Sequence, residues 1–590
     1  MVLIALVLAA EKLGYSDKKK PISGFADDLT IKTFRFSDMI SLLQTAEDCV
    51  FWTRCMKFKS TKSAILAMDE QGKPIDPLIK LNGVIIPSIL NKPFKFLGKM
   101  IYPSLNDKEA KSTALKKVVN LLKKVDNINI DGKKKAWIYQ FGIIPYVQWD
   151  FMMLELDEVT VSKMEATVNR YLKKWLRLAK CADTSVLYRG ICGLKIDNIR
   201  SIVLACRTNT EILLCTSRDH VVRAVAKRRR EDDQNSRGYS TPKRIKTAVQ
   251  EIEFRKSFYH NTRKGNDRRG LRVEKKVKLN KKSIVQEVKK MSNEEKIIRV
   301  MNLAVQGKWT NWEELIQVDL SWKEVLYGFS PSLLSFWLNS VQDTLPDPVN
   351  MRRWGKTVEA KCGLCGWTNC SQVHILCGCK VALRQGRITW RHDSILNAIV
   401  KWLKIGKKRA TDNFKSSEEN ACDKITFVKM GEKVPKKKKS PATFWHNGSD
   451  WKILADSKKE PYQVPPQIVS TSLRPDVCIY SLTRKKVCFL ELTSPFEENT
   501  QLWRAKKQLK YAGIVDNAKT NGWDATCKTI EVGARGLVSM NVPGLFRWFG
   551  LTSKDSNIAR KDMSKIAIKC SHFIWISRNN EKWSHPDRVY

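Results

Sequence analysis

Apolar residues recur at helical spacing in several separated stretches of this chain, and near its C-terminal end the pattern changes to short apolar runs of β type. After Ser37, the residues Met39, Leu42, Leu43, Ala46 and Val50 line one face of a helix, with Ser37-Asp38 as its cap. Leu115, Val118, Val119 and Leu122 mark a second helix, and Val161, Met164, Val168, Leu172 and Trp175 a longer one. The opening run Met1 to Ala10 is apolar but short, follows no basic stretch and leads into Glu11-Lys12-Leu13-Gly14. It reads as the end of a buried helix rather than a signal peptide or membrane span. Beyond about residue 220 the periodicity fades: Lys227-Arg228-Arg229-Arg230, Lys243-Arg244 and Arg268-Arg269 stand among polar residues, as in a linker, a nuclear-targeting run or an arm that touches nucleic acid. Helical spacing returns near Ile284. Trp309, Trp312, Trp322 and Trp337 accompany it and are expected in the core, and Asp343 to Pro348 breaks it.

A lysine-rich interval containing Lys436-Lys437-Lys438-Lys439 reads as a flexible linker. Next, two runs of strong β formers, Val477 to Tyr480 and Val487 to Leu492, flank Thr483-Arg484-Lys485 and predict a hairpin. With the turn centred between Thr483 and Arg484, Asp476 faces Glu491, and directly opposed side chains share one face of a sheet. A helix from about Thr500 follows, carrying Lys506, Lys507, Lys510 and Tyr511. Lys507 shares a helical face with Lys510 and Tyr511.

Composition narrows the partner. The 590 residues are too many for one core. Lysine and arginine number 106 against 60 acids, a formal net charge of +46, and a polyanion is the economical partner for such a chain. Sixteen cysteines are too sparse for a secreted disulfide scaffold of this length. Metal binding in a reducing compartment fits them better.

Three clusters carry candidate chemistry. In Gly24-Phe25-Ala26-Asp27-Asp28-Leu29 two adjacent carboxylates sit in an apolar hexapeptide. A turn between two short strands would hold Asp27 and Asp28 at a sheet edge, where their oxygens suit a hard cation such as magnesium; a solvated turn is the plainer alternative. Cys362, Cys365, His374 and Cys379 have the spacing Cys-x2-Cys-x8-His-x4-Cys, which closes a tetrahedron around a structural zinc. Cys377 could replace Cys379, but the four-residue gap after His374 favours Cys379. In the third cluster Asp476 and Glu491 stand at the open end of the hairpin, close enough to share a magnesium ion, with a lysine of the next helix to stabilise a pentacovalent phosphate.

Phe25-Ala26-Asp27-Asp28, then a basic strand ending in Lys62-Ser63, then Phe96-Leu97-Gly98 resembles the last palm motifs of the reverse transcriptases of non-LTR retrotransposons. The resemblance implies that Asp27 and Asp28 hold metal, that Lys62 lies near the phosphates of the incoming deoxynucleotide and that Phe96-Leu97-Gly98 grips the primer. Trp175-Leu176, Leu187-Tyr188 and Gly193-Leu194 are similar to the family's thumb end. The segment from Ser335 to Gly355 together with Gln385 to Asp393 resembles the region between polymerase and nuclease, which makes Arg391 and His392 structural or nucleic-acid contacts. Pro475-Asp476, fourteen residues, then Glu491-Leu492-Thr493 resembles the PD-(D/E)-X-K nucleases in their retrotransposon branch. There the lysine comes from the following helix: Lys507 is preferred to Lys510, with Tyr511 beside them. Glu531-Val532-Gly533-Ala534-Arg535-Gly536 is a further similar segment.

Taken whole, the resemblance implies a multidomain α+β chain. It runs from a palm fragment (1–100) and helical thumb (101–200) through a basic linker or nucleic-acid arm (201–283) and a helical region with the zinc knuckle (284–404) to a lysine-rich linker (405–460) and a restriction-like α/β endonuclease (461–590). The family's remaining palm aspartate lies well upstream of the acidic pair, and only 23 residues precede Gly24, so a truncated copy with an incomplete polymerase is expected. Its partners would be target DNA and template RNA, with no membrane, and its place the nucleus. The alternative is a remnant that binds nucleic acid without catalysis.

Overall fold

The structure is a computed structural model. It describes residues 2–15, 22–25, 28–52, 54, 57–104, 106–188, 194–234, 241–263, 280–312, 314–316, 320–419, 443–445, 450–456 and 462–585. The chain mixes α and β structure, mostly helical with small sheets, and divides into two compact units. One comprises Met1–Asn120 and Tyr146–Met164, the other Leu121–Pro145 and Glu165–Tyr590.

In the first unit the apolar opening run is a helix, Val2–Lys12, whose Leu6 and Ala10 pack with Leu42 and Ala46 of the helix Phe36–Trp52. That second helix begins ahead of Ser37-Asp38, so the two residues are not its cap; the Tyr15 hydroxyl donates to Asp38 Oδ2 at 2.9 Å instead. The strands Ile22–Phe25 and Asp28–Ile31 pair antiparallel, with Phe25 opposite Asp28, so Asp28 opens the second strand of a short hairpin. Lys62 is exposed and ends a single 3-10 turn, Ser60–Lys62, where a basic strand was expected. Phe94–Phe96 and Lys99–Ile101 form a second hairpin, turned by Leu97 (φ +44°) and Gly98 (φ +86°). Two successive left-handed residues give a turn whose twist matches that of the strands. A side chain at position 98 would also collide with Trp149, whose Nε1 lies 2.6 Å from an added Cβ.

In the second unit the expected linker 201–283 contains helices: Ile199–Cys215, His220–Gln234 and Thr241–Arg263 precede Lys281–Met301. Ile245, Ala248 and Ile252 pack with Ile284 and Val288. Their narrow stripe is diluted by lysines and arginines, whose aliphatic stems can lie along an apolar face while the charges stay in water. Trp309, Trp312 and Trp337 are buried, and Trp322 is partly so.

The C-terminal region is built on a four-stranded sheet. Strands β1 (Lys452–Ala455), β2 (Val477–Ser481) and β3 (Lys486–Thr493) are antiparallel neighbours, and β4 (Asp524–Glu531) runs parallel to β3. Helices α1 (Arg387–Glu419), α2 (Thr500–Thr520) and α3 (Ser553–Ile576) cover it. Val477, Ile479, Cys488 and Leu490 pack with residues of α1 and α3, while Cys478, Tyr480, Val487 and Phe489 pack with Tyr511, Ile514 and Ala518 of α2. Both faces are covered, which is why these strands read as unbroken apolar runs.

The region expected to be a lysine-rich linker, 405–460, is partly structured: α1 continues to Glu419, Phe444, Trp445 and Trp451 enter the core, and β1 is an edge strand. Lys436 to Lys439 lie outside the described residues. Arg535, from the segment Glu531 to Gly536, is fully buried, with its guanidinium 4.0 Å from the Trp312 ring centre and 3.8 Å from that of Phe496. Its Nε donates to Glu497 Oε2 at 2.6 Å, and an Nη2 bond to Glu498 completes the clamp.

Candidate active site and metal centre

Asp450 sets the register of the β2–β3 hairpin. Its Oδ2 accepts from the Leu482 and Thr483 amides at 2.8 and 3.0 Å, and its Oδ1 accepts from the Ser481 and Thr483 hydroxyls at 2.5 and 2.7 Å. These bonds hold its carboxyl well below the usual range, against the opposing effect of burial. With the turn pinned, Val477 pairs with Leu490 and Ser481 with Lys486, the register that carries Asp476 opposite Glu491. The Asp476 amide donates to Glu491 Oε2 at 3.2 Å, and the Leu492 amide donates to Asp476 Oδ2 at 2.6 Å.

Lys507 of α2 forms an ion pair with Glu491 Oε1. The Glu491 side chain is only 2 % exposed. Burial first, then the neighbouring Asp476 carboxylate, raise its carboxyl above the usual range despite Lys507. Two carboxylates and an ammonium group thus converge where β2, β3 and α2 meet. Oxygen donors of this kind suit a hard divalent cation.

Of the other lysine and tyrosine candidates, Lys510 is exposed and rests 4.9 Å from the Tyr511 ring centre. Among the described residues no hydrogen bond or ion pair joins it to Asp476 or Glu491. Tyr511 is a core residue, 1 % exposed, and its hydroxyl donates to Arg474 O at 3.1 Å. The helical face shared with Lys507 therefore continues inward at Tyr511, while Lys510 turns to solvent. Thr493 is buried, with no partner for its hydroxyl among the described residues.

His392 is brought to this site from α1, a placement that no local pattern marks. Its Nε2 lies 3.3 Å from Asp476 Oδ2 and 3.2 Å from Leu492 O, and its Nδ1 lies 3.2 Å from Asp393 Oδ1. Both ring nitrogens face acceptors, so both carry protons. Burial works against that charge, but the bonds to Asp393 and Asp476 outweigh it and push the imidazole up to about 10. His392 is thus engaged with the carboxylate site.

Arg391 is likewise not a surface contact, being 0 % exposed. Its five N–H groups are all taken: Nε by Ser494 Oγ, Nη1 by Leu376 O and Ser571 Oγ, and Nη2 by Ser494 O and Cys377 Sγ.

The Cys/His centre precedes α1. The ligand atoms of Cys362, Cys365, His374 and Cys379 all lie within 4.8 Å of one another. Cys362 and Cys379 Sγ are 4.0 Å apart, and Cys365 Sγ is 3.3 Å from His374 Nε2. Around a tetrahedral zinc, sulfur ligands would stand about 3.8 Å apart. These four residues can hold a metal ion, and sulfur with imidazole nitrogen is a set compatible with zinc. Cys377 instead accepts from Arg391 Nη2 at 3.4 Å, and the group of four that could share one ion contains Cys379.

Asp28 is exposed at the start of its strand, and Asp27 lies outside the described residues. Lys227 and Arg228 are exposed on the helix His220–Gln234, and the side chains of Arg229 and Arg230 lie outside the described residues. Among the described residues no helix is long and apolar enough to cross a membrane. No protein-family model matches the chain, and no curated protein is significantly similar to it.

Proposed function

We propose that the C-terminal region is a divalent-metal-dependent DNA endonuclease, and that the chain is the C-terminal part of a non-LTR retrotransposon reverse transcriptase and endonuclease. The observation that carries the reading is the convergence of Asp476, Glu491 and Lys507 from adjacent strands and the helix between β3 and β4. Asp476 and Glu491 would hold magnesium, which when bound neutralises the scissile phosphate. Lys507 places an ammonium group where negative charge grows as a phosphodiester is attacked, and it can hold the attacking water by hydrogen bonding. The surplus of positive charge supports a nucleic-acid substrate. The hairpin bearing Asp28, the Leu97-Gly98 turn and the order of the three clusters support the polymerase part, for which template RNA and deoxynucleotides are the substrates.

The test is nicking of supercoiled plasmid by the full chain in magnesium. Asp476→Ala and Glu491→Ala are each expected to lower the rate by at least about 100-fold, and Lys507→Ala to lower it substantially. Nicking at the unmodified rate in both carboxylate variants rules the site out. The net charge of +46 also favours a second reading, a chain that binds nucleic acid without cutting it. Salt-sensitive DNA binding with no cleavage under any divalent ion would select that one.

A further inference from the structure

The Asp476 carboxylate is held unevenly. Oδ2 accepts the Leu492 amide at 2.6 Å and faces His392 Nε2 at 3.3 Å, whereas Oδ1 has no hydrogen-bond partner among the described residues. The imidazole is itself fixed on both sides, by Asp393 Oδ1 at 3.2 Å and by Leu492 O at 3.2 Å. Its backbone is fixed as well, because the preceding Arg391 ties α1 to Leu376 O of the Cys/His loop and to Ser494 just beyond β3. A ring so constrained cannot swing away without losing its contacts with Asp393, Asp476 and Leu492.

We infer that His392 is a positioning residue for the nuclease centre: it anchors Asp476 Oδ2 and thereby leaves Oδ1 as the oxygen offered to a divalent cation shared with Glu491. The inference rests on the reading of Asp476 and Glu491 as a cation-binding pair. A ligand held on one oxygen loses less freedom on binding, and removing the outer partner of a metal ligand costs about 10- to 100-fold in affinity or activity. His392 takes no part in the bond-breaking step; it acts through Asp476.

The experiment is calorimetric titration of the full chain with calcium, using Asp476→Ala to define the binding that belongs to this site. His392→Ala is expected to weaken that binding by about 10- to 100-fold. His392→Gln, whose amide N–H can still reach Oδ2, should recover most of it. Asp393→Ala, which frees the ring but leaves Nε2 in place, should fall between. In nicking assays the magnesium concentration for half-maximal rate should rise in His392→Ala, with the rate at saturating magnesium within a few-fold of the unmodified chain. Unaltered calcium affinity in His392→Ala overturns the inference, as does His392→Gln behaving like His392→Ala. Calcium binding that ignores Asp476→Ala would sink the cation reading itself, and the inference with it.

Discussion

Three partners converge on Glu165. Its Oε1 accepts from Lys296 Nζ at 2.7 Å and Asn198 Nδ2 at 2.8 Å, and its Oε2 accepts from Arg200 Nε at 2.7 Å. Burial alone would raise its carboxyl, but Lys296 and then Arg200 and Asn198 pull it down to about 2. A folded value below the unfolded one means that the stabilisation is complete above the unfolded value, about 4.3, and is lost as pH falls toward 2. The difference corresponds to about 3 kcal/mol. Glu165→Gln should lower unfolding stability by about that amount at pH 7 and flatten its decline between pH 5 and pH 2. Urea unfolding followed by tryptophan fluorescence at several pH values checks this, and an equally steep decline in the variant would refute it. At this scale the sequence spoke unevenly. Cys379 was preferred because ligand spacing is local, whereas helical spacing put Lys507 and Lys510 on one face and the preference for Lys507 came with the resemblance. His392 was invisible as a partner of Asp476 because 84 residues separate them and nothing in the local pattern marks the meeting.

Among the elements, the β2–β3 hairpin was the most legible. Its apolar runs, its turn and the facing of Asp476 by Glu491 all follow from a short stretch of chain, even though Asp450, which pins the turn, comes from before β2. The helices in 201–283 were not, since their stripe of Ile245, Ala248 and Ile252 becomes a core only against Ile284 and Val288 of another helix. The Cys/His segment also works as an element: it supplies His374 and Cys379 to the candidate metal site and Leu376 O and Cys377 Sγ to Arg391. One zinc per chain is therefore expected by elemental analysis, and Cys365→Ser or chelation should remove it. The melting temperature of the chain should then fall by at least about 5 °C, given about 2–4 °C per kcal/mol in domains of 150–250 residues. An unchanged melting temperature after verified metal loss would contradict a structural role.

For the molecule as a whole, charge is the dominant fact, and it was fully legible in the composition. A net +46 with Lys227 and Arg228 exposed on one helix makes phosphate neutralisation the main term in any complex with DNA. Affinity for a short duplex of arbitrary sequence should fall by about 1,000-fold or more between 50 and 200 mM salt, as for six or more phosphate contacts. Fluorescence anisotropy measures this, and affinity that ignores salt would exclude the backbone as the main contact. The division into two units was not legible, because it depends on contacts between residues far apart in sequence. The start of the C-terminal folded region was misplaced for the same reason, since α1 and β1 join the sheet from before residue 461. Helix α1 also limits which insertions and deletions the chain can accept. Arg387 is bonded to Ser577 O at 2.6 Å, and Arg391 and His392 are bonded to the Cys/His loop and to Asp476 respectively. A helix turns about 100° per residue. One residue gained or lost between Arg387 and Arg391 would therefore pull one end of this short span out of its socket, so its length should be fixed while the surface loops around it are free to vary.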